Sequence, residues 1–252
     1  MPLFNLQMDR NDKEDIHFAS KDICLETYVA GVGIEKQLKD TAIAILEQYQ
    51  RVDLLDLVYI SAKELLVNAS KAAIKRLFFY DAGLDPHDPK VYEQQISKFQ
   101  VNLTQENLAT YHEKLAAHNL KTSIHFSHDA DKIIIRVINN FLLLPQEEQR
   151  IREKFRKAKQ YENIVDFYLE HGDRTEGAGL GITLVEILMA QNGFDRHLFT
   201  ISSSQKTGNT IAKIVIPLKV NYVSSRQKFE IELRKKKLSR DILRKDLVVN
   251  EC

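Results

Sequence analysis

"ELLVNASKA", residues Glu64–Ala72, is the stretch on which the reading of the fold turns. It lies in a run from about Asp53 to Tyr80 whose apolar residues recur at helical spacing, so a long helix is predicted there. Residues three and four apart share a helix face, which puts Glu64, Asn68, Lys71 and Lys75 on a single polar stripe. Leu65, Leu66, Val67, Ala69, Ala72 and Ala73 supply the apolar remainder. A stripe turned to water on an amphipathic helix is one explanation. A functional floor is the other, and it requires a second polar constellation elsewhere in the chain.

That constellation is "EGAGLGITLVEILM", in which Gly177, Gly179 and Gly181 precede a helix predicted to start near Leu180. Glycines let a backbone approach a phosphate closely, and the unpaired amides of a helix N-terminus bind anions. A glycine turn of purely structural purpose has the same composition. The loop is not a Walker loop, because no Gly-Lys-Ser/Thr follows. It also lacks the β-α-β setting and downstream acid of a dinucleotide fingerprint.

The rest of the chain gives these two motifs a frame. "ICLETYVAG" (Ile23–Gly31) reads as a strand and turn, Ile34–Tyr49 as a helix, and "DAGLDPHDP" as the break that ends the long helix. Polar amphipathic segments at about Lys90–Gln100 and Gln105–His118 read as an inserted helical pair. "KTSIHFSHDADKIIIRVINN" reads as a hairpin, Pro145–Glu170 as charged helix, and "HLFTISSS" and "TIAKIVIPL" as two closing strands. From about Ser224 the composition turns basic, with nine basic against three acidic residues between Arg226 and Lys245. A solvated helical tail and a docking site for an acidic partner both fit that run.

In this order the motifs resemble the GHKL superfamily, the ATP-binding domains of histidine kinases, anti-sigma-factor serine kinases and type II topoisomerases. Glu64 and Asn68 stand as the Glu and Asn of the family's N-box, "NASK" is similar to its histidine-kinase form, "GAGLG" to a glycine box, and "GNTIAKIVIPL" to the final strand pair. The resemblance covers roughly 23–218, after an N-terminal segment 1–22. It implies an α+β fold of the Bergerat type: a two-layer α/β sandwich with a mixed sheet, helices on one face, a helical insertion at about 85–118 and a C-terminal extension at 219–252. It further implies a mobile ATP lid at about 141–176. ATP and Mg²⁺ are the implied cofactors. Asn68 would ligate the metal, Glu64 would act as the catalytic base, and Lys71 would neutralise phosphate charge. Asn139, Gly177, Gly179, Leu180, Gly181 and Thr210 would complete the nucleotide contacts. The implied function is a stand-alone regulatory kinase or ATPase in signalling, closest in layout to the anti-sigma kinases because no dimerisation helix precedes the N-box.

Departures from the family pattern define an alternative. Asn139 stands where the family has the adenine-binding Asp, and Phe141 and Leu143 stand at the two glycines that follow it. Asn still accepts through its carbonyl, whereas Phe141 fills space that a glycine leaves open. The same fold would then be a protein-interaction module that binds nucleotide weakly or not at all. His112-Glu113 is similar to a phosphoacceptor pair, but Ala116 and the absence of a following proline make an exposed helical histidine the simpler reading.

Composition narrows the partners. A net charge of +1 on 252 residues removes the global electrostatic case for nucleic acid or a membrane surface. No apolar stretch approaches the roughly 20 residues that span a bilayer. Cys24 and Cys252 lie at opposite ends without zinc-ligand spacing, which fits free thiols in a cytoplasmic protein. A nucleotide, a signalling protein and a second copy of the chain are the expected partners.

Overall fold

Alternation along the strands decides which side of the sheet is covered. The computed structural model describes residues 21–101, 110–161, 163–171 and 181–236. Strands β1 (Lys21–Thr27), β2 (Thr122–His128), β3 (Lys132–Asn139), β4 (Phe199–Ser204) and β5 (Asn209–Pro217) form one sheet in the order β1-β2-β3-β5-β4. The fold is α+β in two layers, as expected. The sheet differs from the expected mixed one, since every pairing among these strands is antiparallel. Two hairpins, β2–β3 and β4–β5, account for half of those pairings and β5 then adds antiparallel to β3.

Register lines up the side chains in rows. Ile23, Phe126, Ile135, Ile214 and Phe199 cross the sheet as one row, and Leu25, Ile124, Val137, Ala212 and Ile201 as the next. These two rows are the floor of the core. The opposite face carries Cys24, His125, Arg136, Lys213 and Thr200 in register, none of them buried. There Ser127 Oγ donates to Asp22 Oδ1 and accepts from Arg136 Nη1, each at 2.8 Å. One face packs and the other is polar, the pattern of an antiparallel sheet covered on one side.

The cover is helical. Helices α1 (Val32–Gln48) and α2 (Leu55–Asp81) pack side by side, with α2 also against β2 and β3. An insertion follows, with α3 (Pro89–Val101) and a short α4 (His112–Ala117). Then come α5 (Pro145–Ala158), α6 (Ile164–His171), α7 (Gly181–Gln191) and, past the sheet, α8 (Ser225–Lys236). Helix α7 packs between α2 and α5. Leu57, Leu65, Leu66, Leu77 and Phe79 on α2 are each no more than 2% exposed. Each such burial contributes about 1.5–3 kcal/mol. Gly83, at φ +63°, closes α2 in a left-handed cap, and the Leu84 N–H returns to Phe79 O at 3.0 Å. Within the described residues the second insertion helix is only the six residues of α4, and His112 is exposed on it with its ring edge-on to Tyr28.

Helix α5 is docked rather than free. Pro145 occupies its first turn, where a missing N–H costs nothing, and Glu147 Oε2 accepts from the Leu144 N–H at 3.1 Å. Ile151 and Phe155 pack on the core, and Phe155 meets Phe199 of β4 edge-to-face at 5.0 Å between centroids. Past its end, Arg196 donates to Ala158 O at 2.8 Å and Tyr161 O at 3.1 Å. The same guanidinium lies 3.9 Å from buried Glu186, whose carboxyl burial pushes up to about 7 against the opposing charges of Arg196 and Lys159. Among the described residues no helix is long and apolar enough to cross a membrane.

Candidate functional site

The sheet's helix-facing side changes character at one end. After two apolar rows, the next row reads Thr27, Thr122, Asn139, Thr210 and Ser203, one short polar side chain from each of the five strands. Its three central members are buried. Helix α2 crosses above this row. Asn139 Nδ2 donates to Ala69 O at 3.3 Å and to Thr122 Oγ1 at 3.1 Å. A backbone carbonyl only accepts, so this pairing fixes the amide with its nitrogen inward. Among the described residues the Asn139 carbonyl oxygen accepts no hydrogen bond, and it keeps the acceptor character expected at that position.

Thr210 is spent differently from the expectation. Its hydroxyl donates to Phe141 O at 2.7 Å and lies 3.0 Å from Ser203 Oγ, while Ser203 Oγ accepts from the Leu143 N–H at 2.9 Å. Thr210 and Ser203 therefore hold the 141–143 turn against the sheet end. Phe141 is half-buried, packs against the core, and is covered by the Arg76 guanidinium at 4.9 Å from its ring centre. Arg76 lies eight residues past Asn68, about 12 Å along the helix. The aromatic ring is thus engaged at the far end of α2, away from Asn68.

The stripe of Glu64 and Asn68 is not simply a wetted face. Glu64 and Asn68 are half-buried against the first residue of α7. A β-carbon on Gly181 would overlap Glu64 Oε2 and lie 3.1 Å from Asn68 Nδ2. Gly181 and the Glu64–Asn68 pair, over a hundred residues apart in sequence, meet without room for a methyl group. Asn68 Nδ2 is buried with no hydrogen-bond partner. Burial raises the Glu64 carboxyl above its ordinary range, with the charges of Lys71 and Lys63 opposing the rise. Lys63 itself is paired with Glu35 at 2.8 Å. Gly177, Gly179 and Leu180 lie outside the described residues.

Replacing Gly181 by alanine separates the stability of the fold from the placement of Glu64 at this contact. The clashing atom is the end of a flexible Glu side chain, which can swing aside. Gly181→Ala is expected to keep the melting temperature within a few degrees of wild type while swinging the Glu64 carboxylate out of place. Thermal melts read the first effect and the acid titration of Glu64 by NMR the second.

Sequence reasoning missed the neighbours of this stripe. Glu147 of α5 takes Arg76 in a two-point pair at 2.9 and 2.5 Å and Lys75 at 2.8 Å, with the Arg76 and Glu147 side chains 5% and 7% exposed. Arg76 Nη2 also donates to Leu142 O at 2.9 Å. Arg150 and Lys154 follow Glu147 at helical spacing and bring two further cations to the same side of α2. In sequence they sit in a charged run that reads as solvated; only the i, i+3, i+7 spacing from Glu147 marks them.

Among the described residues no cluster of His, Cys, Asp and Glu has the geometry of a protein-only metal site. A cation here would need oxygens from a ligand as well as from Asn68. None of the known protein-family models matches this chain, and no solved structure matches it. An uncharacterized protein of Treponema pallidum (strain Nichols) is similar, 26% identical over 195 residues, which is 77% of this chain and 37% of that protein. The chain thus spans little more than a third of that relative's length.

Proposed function

We propose that the protein is a Mg-ATP-binding ATPase or kinase domain of the GHKL type, acting as a regulatory enzyme in signalling. The observation that carries this reading is the close contact of Gly181 with Glu64 and Asn68, which brings the two motifs together in three dimensions. The residues suit the cofactor. Mg²⁺ takes few protein oxygens and bridges phosphates, so a single amide oxygen from Asn68 is a sufficient protein contribution. The buried, unpartnered Asn68 Nδ2 is a donor that a phosphate oxygen satisfies. When bound, the metal supplies charge neutralisation between the phosphates.

The chain's own groups do the rest. Glu64, one helical turn from Asn68, holds a raised carboxyl in a half-buried position, suited to taking a proton from water or a hydroxyl acceptor. Lys71, one turn beyond Asn68, makes no ion pair among the described residues and is available to phosphate. Asn139 offers its carbonyl to a base amino group. Thr210 and Ser203 hold the turn beside it. Calorimetry and thermal melting test the reading: Mg-ATP at a hundredfold excess over Kd is expected to raise Tm by about 5–10 °C. No shift at millimolar Mg-ATP, with no calorimetric heat, refutes it.

A second reading has its own observation. Asn139 is only 5% exposed and the Phe141 ring is clamped under Arg76, which favours an interaction module with a restricted base pocket. Partner capture independent of nucleotide, together with the missing thermal shift, selects that reading.

A further inference from the structure

The face of the sheet turned away from the helices carries a nucleophile and a base that the nucleotide reading leaves unused. Cys24 of edge strand β1 and His125 of β2 stand directly opposite in register, and Cys24 Sγ lies 3.6 Å from His125 Nε2. His125 Nδ1 lies 3.6 Å from Oδ2 of Asp22, which is two residues before Cys24 and so on the same face of β1. A carboxylate only accepts, which places the ring proton on Nδ1 and leaves Nε2 as an acceptor for the thiol. Asp22 is itself held, since Ser127 Oγ donates to its Oδ1 and accepts from Arg136 Nη1. Three strands thus bring together a thiol, a base, the carboxylate that orients the base and two groups that fix the carboxylate, the arrangement of an activated nucleophile. Cys24 is exposed, and β1 has no strand beyond it among the described residues, so the sulfur is open to a small molecule.

We propose that Cys24 is a thiol-exchange site, at which His125 acts as general base and a low-molecular-weight disulfide is the substrate. The Cys24 sulfur attacks one sulfur of the disulfide in line with its S–S bond. As the new S–S bond forms, the thiol proton passes to His125 Nε2 and the old S–S bond breaks. The departing sulfur leaves with the bonding pair and takes the proton back from the imidazolium, which the Asp22 carboxylate stabilises. One mixed disulfide and one free thiol result; the Cys24 sulfur is oxidised, the departing sulfur is reduced, and no other reagent is needed. An open sheet face favours this chemistry over acyl transfer, which needs preorganised donors around a developing oxyanion. Displacement at sulfur needs only access, a nucleophile and a place for one proton. Burial, then the charges of Glu26 and Asp22, raise the thiol above its ordinary range, with Lys121 opposing. Cys24 therefore rests protonated, and its reactivity depends on handing the proton to His125 rather than on a standing thiolate. The site lies across the sheet from Glu64, Asn68 and Gly181 and is independent of what they bind.

The test uses the full chain carrying Cys252→Ser, which leaves Cys24 as its one thiol, and oxidised glutathione as the probe. Intact-protein mass counts the mixed disulfide, and its rate of formation is followed against pH. The expected result near neutral pH is a single adduct on the native protein, formed about tenfold or more faster than on the same chain in denaturing urea, where the cysteine is unassisted. His125→Asn is expected to lose about 100-fold at neutral pH. It should regain the parent rate at alkaline pH, where the thiol is already ionised and needs no base. A histidine that only supported the strand would change the rate equally at both pH values. Asp22→Asn is expected to lose about 10-fold, with the same recovery at alkaline pH, and carries the test if His125→Asn does not fold. A native rate no greater than the unfolded one overturns the inference. So does a neutral-pH rate in either variant equal to that of the parent, or a loss that alkaline pH does not restore.

Discussion

Glu64→Gln is expected to reduce nucleotide turnover by about 10²- to 10⁴-fold, the contribution of a positioned general base, while Mg-ATP still raises Tm. The substitution keeps the shape of the side chain beside Gly181 and removes only its ability to accept a proton. Burial raises the Glu64 carboxyl, so in the proposed role it would act nearer to neutrality than an exposed glutamate. Turnover in wild type should therefore fall on the acid side as Glu64 is protonated, and the residual activity of Glu64→Gln should lack that limb. A pH–rate profile of the two proteins reads this directly. A Glu64→Gln protein with wild-type turnover would assign the base elsewhere.

Arg76→Met is expected to cause the largest loss of stability among single substitutions at the site. It leaves Glu147 buried with Lys75 alone and also strips the Leu142 carbonyl and the face of Phe141 of their partner. Breaking a buried pair by removing one partner costs about 3–5 kcal/mol. For a chain of this size that corresponds to a drop in Tm of about 10 °C or more. The partner carboxylate adds a pH signature. Burial alone would raise Glu147, but the Arg76 hydrogen bond and the charges of Lys75 and Arg76 outweigh it and hold the carboxyl at about 2, against an ordinary 4.5. A depressed acid contributes stability above its unfolded pKa and loses it as pH falls through its folded value. Wild type should accordingly lose stability from about pH 4.5 down to 2, and Arg76→Met should show a shallower acid limb. Denaturant melts across that range measure both. The double variant Arg76→Met, Glu147→Met is expected to recover part of the loss, and the cycle gives the coupling between the two groups.

How much of this was legible in the sequence depends on the range of the interaction. The period of Leu65, Leu66, Ala69 and Ala73 placed α2, and the apolar run from Ile182 placed α7, because both signals are local. The hairpins were legible for the same reason, as was the turn before β5, where Gly208 takes φ +69°. The polar row was not. Thr27 and Thr122 look like ordinary strand formers, and only the register of β1, β2 and β3 reveals that they share one level with Asn139. Glu147 and Arg76 are separated by 71 residues, and neither differs in sequence from its charged neighbours. Lys154 sits in "REKFRKAK", which any composition-based reading gives to solvent. Docking α5 onto α2 is a tertiary event, and it alone separates Arg150 and Lys154 from the charges beside them.

The polar row also bears on how the protein is made. Its five members enter the chain in the sequence Thr27, Thr122, Asn139, Ser203, Thr210, and synthesis runs from the first to the last. Helix α2, with Glu64 and Asn68, leaves the ribosome long before the residues that complete the surroundings. Until β5 is threaded between β3 and β4, the 141–143 turn has no Thr210 to hold it. The complete polar row is thus a late acquisition on the ribosome. A nascent chain stalled before residue 210 holds Glu64 and Asn68 but lacks the buried row that Thr210 completes.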